Sequence, residues 1–148
     1  MARAADVPLH PAMSFADAAA KTVSVRAGEL WEHSAGVLDT SDIERVHAMR
    51  VATRRLRAVL EIFAPAFPKG LHREVLRDVK ALADALGARR DPDVQLEALA
   101  GVDGAGALRE RFEAEQAEGN ATLEQALAHA ELTDLRGRLE LLVREVRA

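Results

Sequence analysis

Hydrophobic residues recur at alternating spacings of three and four along most of this chain, which is the pattern of amphipathic α-helices. No run of β-branched residues is typical of a strand, and glycines and prolines divide the periodic pattern into segments. The expected helices cover approximately residues 14–38, 43–63, 71–86, 92–100, 107–129 and 132–146. The fold class that we predict is therefore all-α, a helical bundle of about five to six helices.

Local signals predict where these helices end. Proline at 68 cannot continue the second helix, and Gly87 is placed to end the third. Pro92 fits the first position of a short fourth helix, which leaves Arg89 and Arg90 in the connection before it.

Three parts of the chain are expected to be weakly structured. Residues 1–13 contain two prolines and no periodicity, so we expect a disordered or loosely attached lead before a single domain of residues 14–148. The run GVDGAG at 101–106 is expected to be a flexible joint. Gly119 and Asn120 are expected to weaken the fifth helix.

The second predicted helix carries two adjoining stripes of side chains. The first stripe is mainly apolar and comprises Val46, Met49, Thr53, Leu56, Leu60 and Phe63. The second stripe is basic and comprises His47, Arg50, Arg54 and Arg57. The basic stripe is about 15 Å long, and no acid occurs between Arg45 and Glu61. Because like charges at this density repel one another, we expect an external anion to compensate them.

Further cations follow in the third predicted helix. Arg73, Arg77 and Lys80 lie on the face beside its apolar positions, which repeats the arrangement of the second helix. Arg55 points away from the basic stripe. The planar guanidinium of arginine donates two hydrogen bonds to phosphate oxygens, so arginines suit a chain of phosphates. We therefore expect helices 2 and 3 to present one basic face.

The charge distribution supports this prediction more than the total does. The net charge of the chain is −4, which alone argues against an anionic ligand. Residues 43–90, however, hold 11 Lys and Arg against 5 Asp and Glu, a balance of +6. The flanks are acidic, with −3 for residues 1–42 and −7 for residues 91–148. A basic centre between acidic flanks indicates an anionic partner for the centre.

The sequence gives little support for catalysis or for a metal site. It contains no cysteine, no G-x-S-x-G motif and no phosphate-binding P-loop. The histidines form no pair at i,i+4, and Asp91 and Asp93 are better explained by helix capping than by magnesium binding. We expect a protein that is not an enzyme and has no cofactor and no metal. Since the sequence shows neither a signal peptide nor a membrane span, we also expect it to be soluble and cytoplasmic.

The segments VHAMRVATRRLR and LGARRDPDV together resemble the signature of the CHAD family, the conserved-histidine α-helical domains. The resemblance implies a helical bundle that binds inorganic polyphosphate, in many members at polyphosphate granules or beside triphosphate-processing enzymes. By motif position, it places polyphosphate ligands at His47, Arg50, Arg54, Arg55, Arg57, Lys80 and Arg90, with Arg89 as an added neighbour. Further extension of this site would come from Lys21, Arg73 and Arg77.

Several alternatives stay open at this point. Full-length members of the family have two related helical halves, whereas this chain has about half that length. Either the half-sized domain suffices, or two chains pair as a homodimer through the missing half, or the C-terminal end has diverged. Nucleic-acid binding is the alternative function, although no Tyr, Phe or Trp falls on the basic stripe to stack against bases. A protein-interaction or self-pairing module is a third possibility, in which the basic face meets an acidic surface.

Overall fold

The computed structural model describes residues 3–147, which form five α-helices and no strand. The helices are α1 (Phe15–Glu32), α2 (Ile43–Ile62), α3 (Lys69–Ala98), α4 (Gly106–Leu132) and α5 (Leu135–Arg144), with a short 3₁₀ turn at Ala64–Ala66. The predicted all-α class is thereby confirmed. Met1 and Ala2 of the predicted lead, and Ala148 at the other end, lie outside the described residues.

One hydrophobic core joins these helices. The predicted apolar seam of α2 forms its centre, because Val46, Met49, Thr53, Leu56 and Leu60 are all fully buried. Helix α1 packs on one side of α2, and α3 packs on the other side while also contacting α4 and α5. The 3.6-residue periodicity of α2 therefore correctly predicted which of its faces points inward.

Helix α3 corrects the predicted break between a third and a fourth helix. It runs without interruption through Lys69–Ala98, and both Gly87 and Pro92 lie inside it. Pro92 has no N–H, so the carbonyl of Ala88, four residues earlier, lacks its usual helical donor. Helix α4 packs against this point, where a Cβ on Gly119 would lie only 2.7 Å from the Ala88 oxygen. The missing hydrogen bond therefore lies within the contact between α3 and α4.

Helix α4 is continuous at Gly119 and Asn120, where the sequence predicted that it would be weakened. It spans Gly106–Leu132 with Gly119 and Asn120 inside it. The side-chain amide of Asn120 donates to the Leu38 carbonyl at 3.1 Å, while its oxygen accepts from Arg89 at 3.4 Å. Both residues are therefore packing positions of the α3–α4 contact.

The N-terminal lead is attached to α1. Residues 3–13 have no regular secondary structure, but the backbone N–H of Ala5 donates to a carboxylate oxygen of Glu29 at 3.1 Å. Ser14 caps α1 by accepting the N–H of Asp17 at 3.0 Å. The helix ends at Glu32, earlier than predicted. No helix in the described part of the chain has the length and apolar content needed to cross a membrane.

Candidate functional site

The basic stripe of α2 lies on the flank of that helix that faces α3. The two helices run antiparallel, and His72 Nε2 of α3 donates to the Leu60 carbonyl of α2 at 2.7 Å. About two turns further along α3, Lys80 Nζ lies 3.8 Å from Glu61 Oε1 of α2. Because the two helices run in opposite directions, Arg90 in the second half of α3 lies near the start of α2, where the stripe begins. We call the set His47, Arg50, Arg54, Arg57, Lys80 and Arg90 the α2–α3 basic face.

Two arginines at the middle of this face carry uncompensated charge. Arg54 is exposed and Arg50 is half-buried. Among the ion pairs of residues 3–147, none involves either side chain. Exposed helix faces gain stability from pairs of opposite charge at i,i+4, and this pair of arginines lacks that gain. Their guanidinium groups are therefore available to an anion.

Further along the face, two cations share one carboxylate. Arg57 Nε lies 3.3 Å from Glu61 Oε1, and Lys80 Nζ lies 3.8 Å from the same oxygen. The spacing of four between Arg57 and Glu61 is visible in the sequence. The link to Lys80 is not, because it depends on how α3 packs against α2.

At the start of α2, the face contains two buried polar atoms without a hydrogen-bond partner. They are Nδ1 of His47 and one terminal nitrogen of Arg90. Most buried polar atoms in folded proteins have a partner, so such atoms call for an explanation. Both residues are candidate ligands from the sequence, and both have hydrogen-bonding capacity that no other side chain of the described chain uses.

Arg55 points to the opposite flank of α2 from the basic face. Its guanidinium lies 3.9 Å from Glu29 of α1, a carboxylate that Arg26 also contacts. Burial raises the pKa of Glu29, but hydrogen bonds from Ala5 and Arg26 and the charges of both arginines outweigh it and lower that pKa overall. Arg55 therefore belongs to a cluster that joins α1 to α2.

Arg89 lies in the interior and does not extend the surface site, contrary to the prediction. Its side chain is fully buried and pairs with the equally buried Asp93 at 3.2 Å. It also donates to the Val37 carbonyl and to Asn120, each at 3.4 Å. Gln116 of α4 donates to the same Asp93 at 2.6 Å. The predicted connection would have exposed Arg89, but in the continuous α3 it faces inward and holds α4 and the loop after α1.

Arg73 and Arg77, two of the residues predicted to extend the site, lie on α3 close to Lys80. Both are exposed, and together with Lys80 they line an open groove whose apolar lining includes Phe67 and Leu76. They therefore adjoin the basic face at Lys80. Lys21 lies on α1, which packs against the flank of α2 opposite to α3, so it lies away from this face. No group of three or more His, Asp or Glu in the described ranges is arranged to hold a metal ion.

Together, the fold and the site define a small all-helical domain with a line of cations between two antiparallel helices. The chain belongs to the CHAD domain family, whose family model matches residues 23–148. This confirms the resemblance carried by the two motifs and extends it through α4 and α5. No match to the chain was found among curated proteins or among solved structures.

Proposed function

We propose that this protein binds inorganic polyphosphate, or a similar linear polyanion, on the α2–α3 basic face without converting it chemically. The observation that carries the proposal is the pair Arg50 and Arg54, whose charges no acid of the described residues neutralises. Membership of the CHAD domain family supports it, because CHAD domains are associated with polyphosphate binding or with proteins related to triphosphate tunnel metalloenzymes.

The shape of the face suits a thin chain of phosphates. From His47 to Arg57 the stripe on α2 extends about 15 Å, and Arg90 and Lys80 flank it on α3. Each arginine can donate two parallel hydrogen bonds to phosphate oxygens, and such charge-assisted bonds are about twice as strong as neutral ones. Neutralising closely spaced phosphates also releases their counterions, which adds affinity at low salt.

Single-stranded nucleic acid is the principal competitor for such a face. Proteins that bind single strands combine cations with aromatic rings that stack on the bases. Helix α2 contains no Phe, Tyr or Trp, and Phe63 at its C-terminal cap packs against the core and against Phe15, with ring centroids 5.3 Å apart. The face therefore offers phosphate contacts without a Phe, Tyr or Trp ring for stacking, which favours a polyanion that has no bases. Binding of this kind would also bring the protein to polyphosphate granules.

The proposal is tested by an Arg50→Ala/Arg54→Ala double variant in a titration with long-chain polyphosphate. The matched control is Arg111→Ala/Arg136→Ala, which removes the same charge from exposed positions that pair with acids on α4 and α5. Since hydrogen bonds to charged groups contribute about 1.5–3 kcal/mol each, we expect the first variant to lose about a hundredfold or more in affinity. The control should change the affinity much less.

Competition separates polyphosphate from nucleic acid. We expect single-stranded RNA to displace bound polyphosphate poorly when both are compared at equal phosphate concentration. Equal losses in the two double variants would refute the site, and efficient displacement by RNA would refute the proposed ligand.

A further inference from the structure

We propose that Glu61 ends the polyphosphate site, so that this carboxylate limits the number of phosphates that the basic face can hold. The inference rests on the proposed function and adds to it the determinant of chain length. Glu61 follows the basic stripe in the sequence, and the fold places its carboxylate between α2 and α3.

The geometry gives Glu61 its unusual position. One of its oxygens, Oε1, lies 3.3 Å from Arg57 Nε of its own helix and 3.8 Å from Lys80 Nζ of α3. All three side chains remain accessible, at 43% for Arg57, 47% for Glu61 and 43% for Lys80. The carboxylate therefore occupies the place that a phosphate would take between these two cations.

The consequence differs between the two ends of the basic face. Around Arg50 and Arg54, no acid of the described chain competes with a ligand. At the other end, a phosphate must displace Glu61 or lie against a like charge, and either costs free energy. Exposed ion pairs are weak individually, so the carboxylate shortens the site without blocking binding. A phosphate chain would thus be held firmly beside Arg50 and Arg54 and released near Arg57.

Short and long anions should respond differently to the loss of this carboxylate. A short anion such as tripolyphosphate already finds Arg50 and Arg54 free, so it gains little from two further cations. A long chain covers the whole face and gains both Arg57 and Lys80. This difference separates a local boundary from a general change in the electrostatic field, which acts on every anion.

The test compares Glu61→Gln with Glu74→Gln. Glu74 is exposed on α3 and takes part in no ion pair of residues 3–147, so its variant makes the same change in net charge. For Glu61→Gln, we expect long-chain polyphosphate to bind about three- to tenfold more tightly, which corresponds to the release of two exposed ion pairs. The slope of log affinity against log salt should steepen by about one unit. Tripolyphosphate should bind within about twofold of the wild type.

Three results would overturn the inference. Glu61→Gln could behave like Glu74→Gln toward both ligands, or it could tighten both ligands equally, which would indicate a general field effect. It could also weaken the long chain, which would mean that Glu61 positions Arg57 and Lys80 for the ligand. A wild-type protein that binds no polyphosphate would instead refute the proposed function, and the inference about Glu61 would fall with it.

Discussion

Arg89 and Arg90 are adjacent in the sequence, and the structure predicts opposite consequences for their removal. Arg89 is fully buried and makes an ion pair with Asp93 and hydrogen bonds to Val37 and Asn120. Arg90 is half-buried on the α2–α3 basic face and takes part in no ion pair of the described residues. We therefore expect Arg89→Ala to reduce stability and Arg90→Ala to reduce affinity.

The size of the first effect follows from the burial of the ion pair. Removing one partner of a buried pair leaves the other charge uncompensated, which costs about 3–5 kcal/mol. Gln116 still donates to Asp93 in the variant, so we expect a value near the lower end of that range. Domains of this kind are stable by about 5–15 kcal/mol, so the variant should remain folded at room temperature with a lower midpoint in urea.

Two measurements on each variant separate the roles. Urea unfolding, followed by the fluorescence of Trp31 or by circular dichroism, gives the change in the free energy of unfolding. Titration with long-chain polyphosphate under folding conditions gives the change in affinity. Arg90→Ala should lose less than about 1 kcal/mol of stability, while its affinity falls about tenfold or more, as for a lost charge-assisted hydrogen bond.

A double replacement controls for a general defect. Arg89→Met/Asp93→Leu removes both buried charges and should recover most of the stability that Arg89→Ala loses, because neither charge is left unpaired. The reasoning is refuted if Arg89→Ala has the same urea midpoint of unfolding as the wild type. It is also refuted if folded Arg89→Ala loses as much affinity for polyphosphate as Arg90→Ala does.

Two further predictions concern the helix contacts. Gly119→Ala should destabilise the protein by about 1–3 kcal/mol, because the added Cβ would lie 2.7 Å from the backbone oxygen of Ala88. Gly87→Ala should instead stabilise it by up to about 1 kcal/mol, because nothing lies within 4 Å of the added Cβ. Equal urea midpoints for the two variants would contradict this difference. Asp78 is partly buried, which raises its pKa, but hydrogen bonds from Arg138 and Arg77 outweigh burial and hold that pKa below its ordinary value. A lowered pKa contributes stability above the unfolded value of about 4, which is lost as the pH falls through the folded value. Asp78→Asn should therefore flatten the fall in stability in acid, and an unchanged pH profile would show that the contact is without effect.

The second helix shows how far the sequence could be used to predict the fold. Its apolar positions repeat with the helical period, so the buried seam from Val46 to Leu60 and the basic stripe beside it follow from spacing alone. Arg50 and Arg54 could be recognised in the same way, since no acid occurs near them in the sequence. Local information was sufficient because both stripes belong to one uninterrupted helix.

The third helix shows where local information was insufficient. Gly87 and Pro92 are common signals of helix ends, but α3 continues through both, and α4 packs closely against it at Ala88. One signal in the sequence did indicate the burial of Arg89, because it follows Leu86 by three residues and precedes Asp93 by four. That spacing continues the apolar period of the helix and supplies an acid one turn later. The link between Glu61 and Lys80 left no such signal, since it joins residues of two helices.

The central claim is that Arg50 and Arg54 neutralise phosphates of a bound chain, and the salt dependence of affinity tests it most directly. Long-chain polyphosphate would be titrated into the wild type, the Arg50→Ala/Arg54→Ala variant and the Arg111→Ala/Arg136→Ala control at several salt concentrations. Each neutralised phosphate contributes about 0.7 to the slope of log affinity against log salt for a single-stranded polyanion. The account predicts that the slope becomes shallower by about one to one and a half units in the first variant and stays at the wild-type value in the control. Equal slopes in all three proteins would contradict it.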